Sequence, residues 1–285
     1  MKLLLLGPAG TFSHQAALQL FPDAEITFAS NFDDLFETLV VDSRSRTAAT
    51  KGRSAGEGSK NVYQNNHLLG FAPIENSLHG SVDEILDLLR ETDIKLWRTY
   101  DVAIHHAFGC KDVSKITKVL SHPQALKQCR LWLKANYPKL EHVAVTSTAA
   151  AIQTALVHTS SAAIGVAKTM KDAGLPIVAE AIEGQDNTTR FGIVSAVDPF
   201  PDFKRTQMSI VLHPRGDYPG LLHKLLTSFK VYDVNLTRIE NRPVGSKIGD
   251  YYFFLDFFGA SADVRTQKVL TELQELAEVK VLGEW

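Results

Sequence analysis

Leu3-Leu4-Leu5-Leu6-Gly7-Pro8-Ala9-Gly10-Thr11-Phe12-Ser13 passes from an apolar run to a glycine-rich turn, and His14 to Leu20 continues with helical character. A short apolar run bounded by turn residues reads as a buried strand, so the opening is strand, turn, helix, the unit from which α/β layers are built. The pattern recurs. Ile26 to Ala29, Leu68 to Ala72, Val119 to Ser121, Val143 to Val145 and Ala162 to Ile164 read as strands. Asp33 to Val41, Val82 to Arg90, Ala125 to Ala135, Ala149 to Val157 and Ala167 to Asp172 read as the helices between them. Such alternation predicts mainly parallel sheet covered by helices. Lys95 to Cys110, rich in Val, Ile, His and Phe, reads as long extended segments; a pair of such crossovers would split the sheet into two lobes with a cleft between them.

Two stretches depart from this texture. Ser43 to His67 is rich in Ser, Gly and basic residues, with five Arg or Lys against one Glu, and predicts a mobile, solvated insertion. Beyond a short linker around Pro199 and Pro201 comes a self-contained series: Gln207 to Leu212 strand, Gly220 to Lys230 helix, Asn235 to Glu240 strand, Tyr251 to Phe258 strand, Arg265 to Leu276 helix and Val279 to Leu282 strand. The order βαββαβ is the ferredoxin-like arrangement. Bulky groups on both faces of Tyr251 to Phe258 predict one face against the helices and the other against a second copy or domain.

Composition excludes several classes. The 285 residues are 45% hydrophobic and 22% charged, as in a soluble globular protein. A net charge of −2 gives no field for nucleic acid or an anionic membrane, so an anionic substrate must be met by local groups. No run approaches the roughly 18 apolar residues of a membrane span, and Leu3 to Leu6 is far shorter than a signal-peptide core. Cys110 and Cys129 lack metal-ligand spacing and read as reduced, packed thiols of a reducing compartment. The expectation is a cytoplasmic protein without metal or other cofactor.

Chemistry concentrates at strand ends. In Ile182-Glu183-Gly184-Gln185-Asp186-Asn187-Thr188-Thr189-Arg190-Phe191-Gly192-Ile193-Val194, four hydrogen-bonding side chains precede an apolar strand. Each would cost about 1–3 kcal/mol if buried unpaired, so the segment is either a capped turn facing solvent or the polar mouth of a cleft. In the second case a guanidinium beside hydroxyl and amide donors suits a carboxylate. Gly7 to Ser13 puts free N–H groups at a helix N-terminus, which favours an anion, or Ser13 simply caps the helix. Pro73-Ile74-Glu75-Asn76-Ser77-Leu78-His79-Gly80-Ser81-Val82 joins strand to helix, with Glu75 either a general acid or a structural acceptor. Ser121-His122-Pro123-Gln124-Ala125-Leu126 and Ser147-Thr148 are further junctions, and neither contains a recognisable nucleophilic triad.

Taken in order, these motifs resemble the prephenate dehydratase family, in the monofunctional form with a C-terminal ACT domain. Gly7 to Ser13, Pro73 to Val82, Ser121 to Leu126 and Thr189-Arg190-Phe191 are similar to the family's catalytic signatures, and Pro219-Gly220-Leu221-Leu222 and Leu236 to Pro243 to its regulatory ones. The resemblance implies an α/β fold: a two-lobed catalytic region like a type II periplasmic binding protein (1–198), then a ferredoxin-like ACT domain (206–285). The implied reaction converts prephenate to phenylpyruvate, carbon dioxide and water, with arogenate dehydratase or a non-catalytic small-molecule sensor as alternatives. Carried over residue by residue, Thr189, Arg190 and Glu75 are catalytic. Thr11, Ser13, Asn76, Ser77, Gly80, Ser121, Gln124, Ser147, Thr148, Asn187, Thr188 and Phe191 bind substrate. Gly220, Leu221, Leu222, Glu240, Asn241, Arg242 and Pro243 bind an effector, expected to be L-phenylalanine, in a homodimer or homotetramer. Asn241 and Leu222 depart from the family's Ser and Ala and imply a bulkier effector pocket.

Overall fold

The computed structural model describes residues 1–51, 67–184, 186–245 and 249–285. The chain begins β1 (Lys2–Leu6), α1 (Phe12–Leu20), β2 (Glu25–Ala29), α2 (Phe32–Lys51), β3 (Leu68–Asn76), β4 (Gly80–Ser81) and α3 (Asp83–Glu91). It continues β5 (Lys95–Ala103), β6 (His106–Cys110), β7 (Lys118–Ser121), α4 (Pro123–Gln128), α5 (Arg130–Asn136), β8 (Glu141–Ala144), α6 (Thr148–Val157), β9 (Ser161–Val166), α7 (Ala167–Ala173) and β10 (Ile177–Ala179). The last part is β11 (Thr188–Ser195), β12 (Gln207–Pro214), α8 (Leu221–Val231), β13 (Leu236–Pro243), β14 (Tyr251–Phe258), α9 (Val264–Leu276) and β15 (Ala277–Glu284). The described residues group into two compact units.

The first unit comprises Met1–Leu35, Phe71–Gly80 and Asp101–Phe191. Leu3, Leu4 and Leu5 of β1 are all buried, because β1 is a central strand, parallel to β2 with Lys2 opposite Glu25 and Leu6 opposite Ala29. On its other side β3 and then β11 follow. The same unit holds a five-stranded sheet in the order β10-β6-β9-β7-β8, whose β7 runs parallel to both neighbours while β6 is antiparallel. Alternate residues of these strands enter two cores. Phe108, Val119, Ala162 and Ile164 pack with Leu126, Cys129 and Leu133 of the α4–α5 region, whereas Ala107, Leu120 and Ala163 pack with Ile152 and Met170 of α6 and α7. Both cysteines are free and buried, and burial pushes both thiols above their ordinary range. Gly10 has φ +87, and a Cβ there would lie 2.7 Å from Thr169 Cγ2, so the turn before α1 closes on α7 only with glycine.

The second unit comprises Phe36–Gly70, Ser81–Tyr100 and Gly192–Trp285. Its C-terminal strands pair in the order β13-β14-β12-β15, and β15 continues onto β5 through Gly283 opposite Leu96. Leu221, Leu225 and Phe229 of α8 and Val269 and Leu273 of α9 cover one face against Met208, Ile210, Leu212, Leu255 and Phe257. Each such fully buried side chain stabilises by about 1.5–3 kcal/mol. The opposite face receives α3. Arg242 pairs with Asp83 and Asp87, the Arg90 guanidinium lies 4.4 Å over the Tyr252 ring, and Lys280 Nζ donates to the carbonyls of Arg90 and Thr92. Beneath them Arg238 grips both oxygens of Asp256, the two side chains being 9% and 7% exposed. The linker is not slack, since Arg205 holds Asp198 and the Trp97 carbonyl.

The α/β class and the C-terminal βαββαβ order agree with the sequence reading. Two expectations are corrected. The helix expected over Asp33 to Val41 runs on to Lys51, so the first part of the expected loop Ser43 to His67 is helical; elongation adds one backbone bond per residue, and no glycine or proline intervenes before Gly52. Residues 52–66 of that expected loop lie outside the described residues. The single helix expected over Ala125 to Ala135 is two, divided at Cys129, whose φ −89 and ψ 3 leave helical geometry.

Asp256→Ala leaves Arg238 charged and buried and is expected to lower the unfolding free energy by about 3–5 kcal/mol, whereas Arg238→Met with Asp256→Leu recovers most of that loss. Urea unfolding of the three proteins measures both effects.

Candidate active site

The end of β3 and the start of β11 lie side by side in the first unit, with Ser77 N donating to the Thr188 carbonyl at 2.9 Å and Thr188 N to Ser77 Oγ at 3.0 Å. Asn76, 7% exposed, is the centre of the junction. Its Nδ2 donates to Asn187 Oδ1 at 2.8 Å and Thr189 Oγ1 at 2.9 Å, with the Thr188 carbonyl at 3.3 Å. Its Oδ1 accepts from Leu78 N at 3.0 Å. The residues flagged by sequence at two distant motifs are thus joined through one carboxamide.

Arg190 continues β11 at the edge of this cluster. Its Nε and Nη2 donate to the two oxygens of Asp101 at 2.8 and 2.9 Å, and Nη1 lies 3.5 Å from Glu75 Oε2. A bidentate carboxylate fixes the guanidinium plane, so Nη1 is the donor turned toward Glu75. Phe191, the next residue, is buried and stacks on Phe71 with ring centroids 4.9 Å apart.

Behind Asn187 stands a group that sequence reasoning missed. Asn187 Nδ2 donates to Gln128 Oε1 at 3.4 Å, and the same oxygen lies 2.6 Å from His106 Nε2. Glu183 accepts from His106 N at 2.9 Å and sits 2.9 Å from His105 Nδ1. His79 Nδ1 stands 3.3 Å from Gln128 Nε2 and 3.2 Å from Asn76 Oδ1, and its proton decides which it serves. Gln128 lies one helical turn beyond Gln124, the glutamine the motif singled out, and four-residue spacing on one helix face was the signal that could have found it. Gln124 itself is exposed, and its backbone N–H goes to His122 Nδ1.

The remaining expected residues divide. Thr11 caps α1 by accepting from His14 N, Ser147 caps α6 by accepting from Ala150 N, and Thr148 is buried as the first residue of that helix. Ser121 is fully buried and donates to the Ile164 carbonyl at 2.7 Å, which ties β7 to β9. Ser13 lies in the first turn of α1, half-buried, and Gly80 is exposed with φ +78. In the second unit Gly220 (φ +87) precedes α8, where Leu221 is buried and Leu222 exposed. Arg242 of β13 faces α3, and Glu240 accepts from Ser81 Oγ of β4 at 3.0 Å. Asn241, opposite Phe253, and the terminal Pro243, opposite Tyr251, complete the strand.

A family model described as prephenate dehydratase matches residues 44–199, and the chain belongs to that family. A bifunctional chorismate mutase/prephenate dehydratase of Aquifex aeolicus is 33% identical, all of this chain aligning with 73% of that protein. A prephenate dehydratase of Methanocaldococcus jannaschii is 33% identical over 88% of this chain and 85% of its own. Among solved structures, a prephenate dehydratase from Arthrobacter aurescens in complex with L-Phe has a TM-score of 0.81 at 28% identity, covering all of this chain and 89% of that one.

Burial holds His106 below its ordinary value of 6.5, against the opposing pull of Gln128 and Glu183, and it also lowers His14, His79 and His122. A lowered folded-state value means that the unfolded chain binds the proton more readily. The contribution is complete above 6.5 and is lost as pH falls through the lowered value. His106→Gln is expected to flatten that acid limb, measured as melting temperature against pH.

Proposed function

We propose that the chain catalyses the decarboxylative dehydration of prephenate to phenylpyruvate, carbon dioxide and water. The observation that carries this reading is the Thr189 hydroxyl, which accepts from Asn76 and therefore turns its own hydrogen away from the amide, in a chain of this family. The bond from the ring to its carboxylate breaks, its electron pair enters the ring, and the ring C–O bond breaks as aromaticity forms. The departing hydroxide takes one proton and leaves as water. Thr189 donates at that oxygen and relays a proton drawn from solvent through Glu75 or a water, since its own hydroxyl is too weak an acid to be the source. Arg190, oriented by Asp101, offers Nη1 to a substrate carboxylate in exchange for Glu75. Asn187, Thr188 and Ser77 complete the polar cradle. The aromatic product supplies the driving force, so no electron-sink cofactor is required.

Arogenate carries an ammonium group and asks for a carboxylate of its own. Asp101 is already committed to the Arg190 fork, and the matching family model is that of prephenate dehydratase, which together favour prephenate. Residues 1–198 act as the catalytic region and 206–285 as the regulatory one, with L-phenylalanine as inhibitor, in a cytoplasmic homodimer or homotetramer. The Arthrobacter complex with L-Phe supports the effector. Among the described residues no helix is long and apolar enough to cross a membrane.

Purified protein treated with chelator is expected to form phenylpyruvate from prephenate, followed by ultraviolet absorbance after alkalinisation, with arogenate the slower substrate. Thr189→Ala should lower kcat by about a hundredfold, and Thr189→Ser should retain most activity. Prephenate turnover that survives Thr189→Ala nearly intact would remove Thr189 from the mechanism.

A further inference from the structure

His106 is 3% exposed, and neither its motif nor the proposed reaction gives it a task. Its ring is held edge-on by Phe12 of the opening turn, centroids 4.9 Å apart. Its Nε2 meets Gln128, while its Nδ1 is buried without a partner among the described residues. The sense of every hydrogen bond between this ring and Thr189 follows from one backbone group. The Leu78 N–H can only donate, so Asn76 must present Oδ1 to it and Nδ2 to the other side. Asn187 must then present Oδ1 to Asn76 and Nδ2 to Gln128. Gln128 must present Oε1, and the group 2.6 Å from that oxygen must be a donor.

We infer that His106 is a positioning residue for the reaction proposed above: as a neutral imidazole carrying its hydrogen on Nε2, it holds the Gln128 carboxamide with Oε1 toward Asn187 and so steadies Asn187, a member of the polar cradle beside Asn76. Without that donor the Gln128 carboxamide keeps only its longer contacts, 3.4 Å to Asn187 Nδ2 and 3.3 Å to His79 Nδ1. Asn76 stays pinned by Leu78, so the loss falls on Asn187, whose Nδ2 is left with a less firmly held acceptor. His106 touches no reacting atom; it acts through Gln128 and Asn187. The neutral form is favoured by surroundings that offer Nδ1 no acceptor among the described residues, Glu183 accepting from the His106 backbone N–H instead.

His106→Phe preserves the ring packing and removes the donor, whereas His106→Gln restores an N–H near the Nε2 position. The first is expected to lower kcat about tenfold with KM changed less than about twofold, the loss of one well-placed hydrogen bond; the second should stay within about threefold of the unsubstituted enzyme. In an Asn187→Ala background His106→Phe should cost nothing further. Equal losses for Phe and Gln, or losses of His106→Phe and Asn187→Ala that multiply, would overturn the inference. Nitrogen-15 NMR of the ring tests it without turnover: the neutral Nε2–H form at neutral pH supports it, and the Nδ1–H form or an imidazolium refutes it. Failure of the unsubstituted protein to consume prephenate would sink the proposed reaction, and the ring's tautomer would still decide whether Gln128 is held in this way.

Discussion

One carboxamide holds the site together. Asn76 ends β3, and its two N–H groups reach Asn187 and Thr189 at the start of β11, more than a hundred residues later in the chain. A buried amide that found no such partners would cost about 1–3 kcal/mol for each unmet group, so the pairing selects one register for the two strand ends. That register sets the Thr189 hydroxyl, the Arg190 fork and the Phe191 ring in sequence along β11: one polar, one charged, one packed on Phe71. The side chains proposed to carry chemistry are therefore positioned by regular secondary structure.

The same economy appears in the second unit. The four C-terminal strands use one face for an apolar core and the other for a charged one, where Arg238 and Asp256 are nearly buried and Arg242 spans two acidic residues of α3. Buried pairs of this kind contribute less to net stability than their geometry suggests, because both ions are stripped of water; their effect is to penalise any arrangement that parts them. Glu240 and Arg242, on the strand expected to meet an effector, already have partners at Ser81, Asp83 and Asp87.

Much of this was legible beforehand. The strand-turn-helix openings, the βαββαβ tail and the polar residues at the ends of β3 and β11 follow from apolar periodicity and turn chemistry, which are local properties. The failures were also local. Residues 43–51 look like a loop because they lack an apolar face, yet a helix already nucleated by Leu35, Phe36 and Leu39 needs none to continue. Ser121 and Ser147, expected as substrate contacts, also serve the fold: one hydroxyl donates to a β-strand carbonyl and the other accepts at a helix N-terminus. Gln128, His106 and Asp101 carried no motif at all, since their significance lies in what stands opposite them.

By itself the sequence determined the α/β class, the order of the elements and the family, because hydrophobic period, glycine placement and short motifs are written in neighbouring residues. Only the tertiary structure decided which side chains Asn76 joins, which glutamine stands behind Asn187 and which acid pairs with Arg190. A hydrogen bond's direction depends on its partner, and here the partners come from strands and helices up to 115 residues apart in the chain, as Glu75 and Arg190 are. No local pattern records which of them will meet.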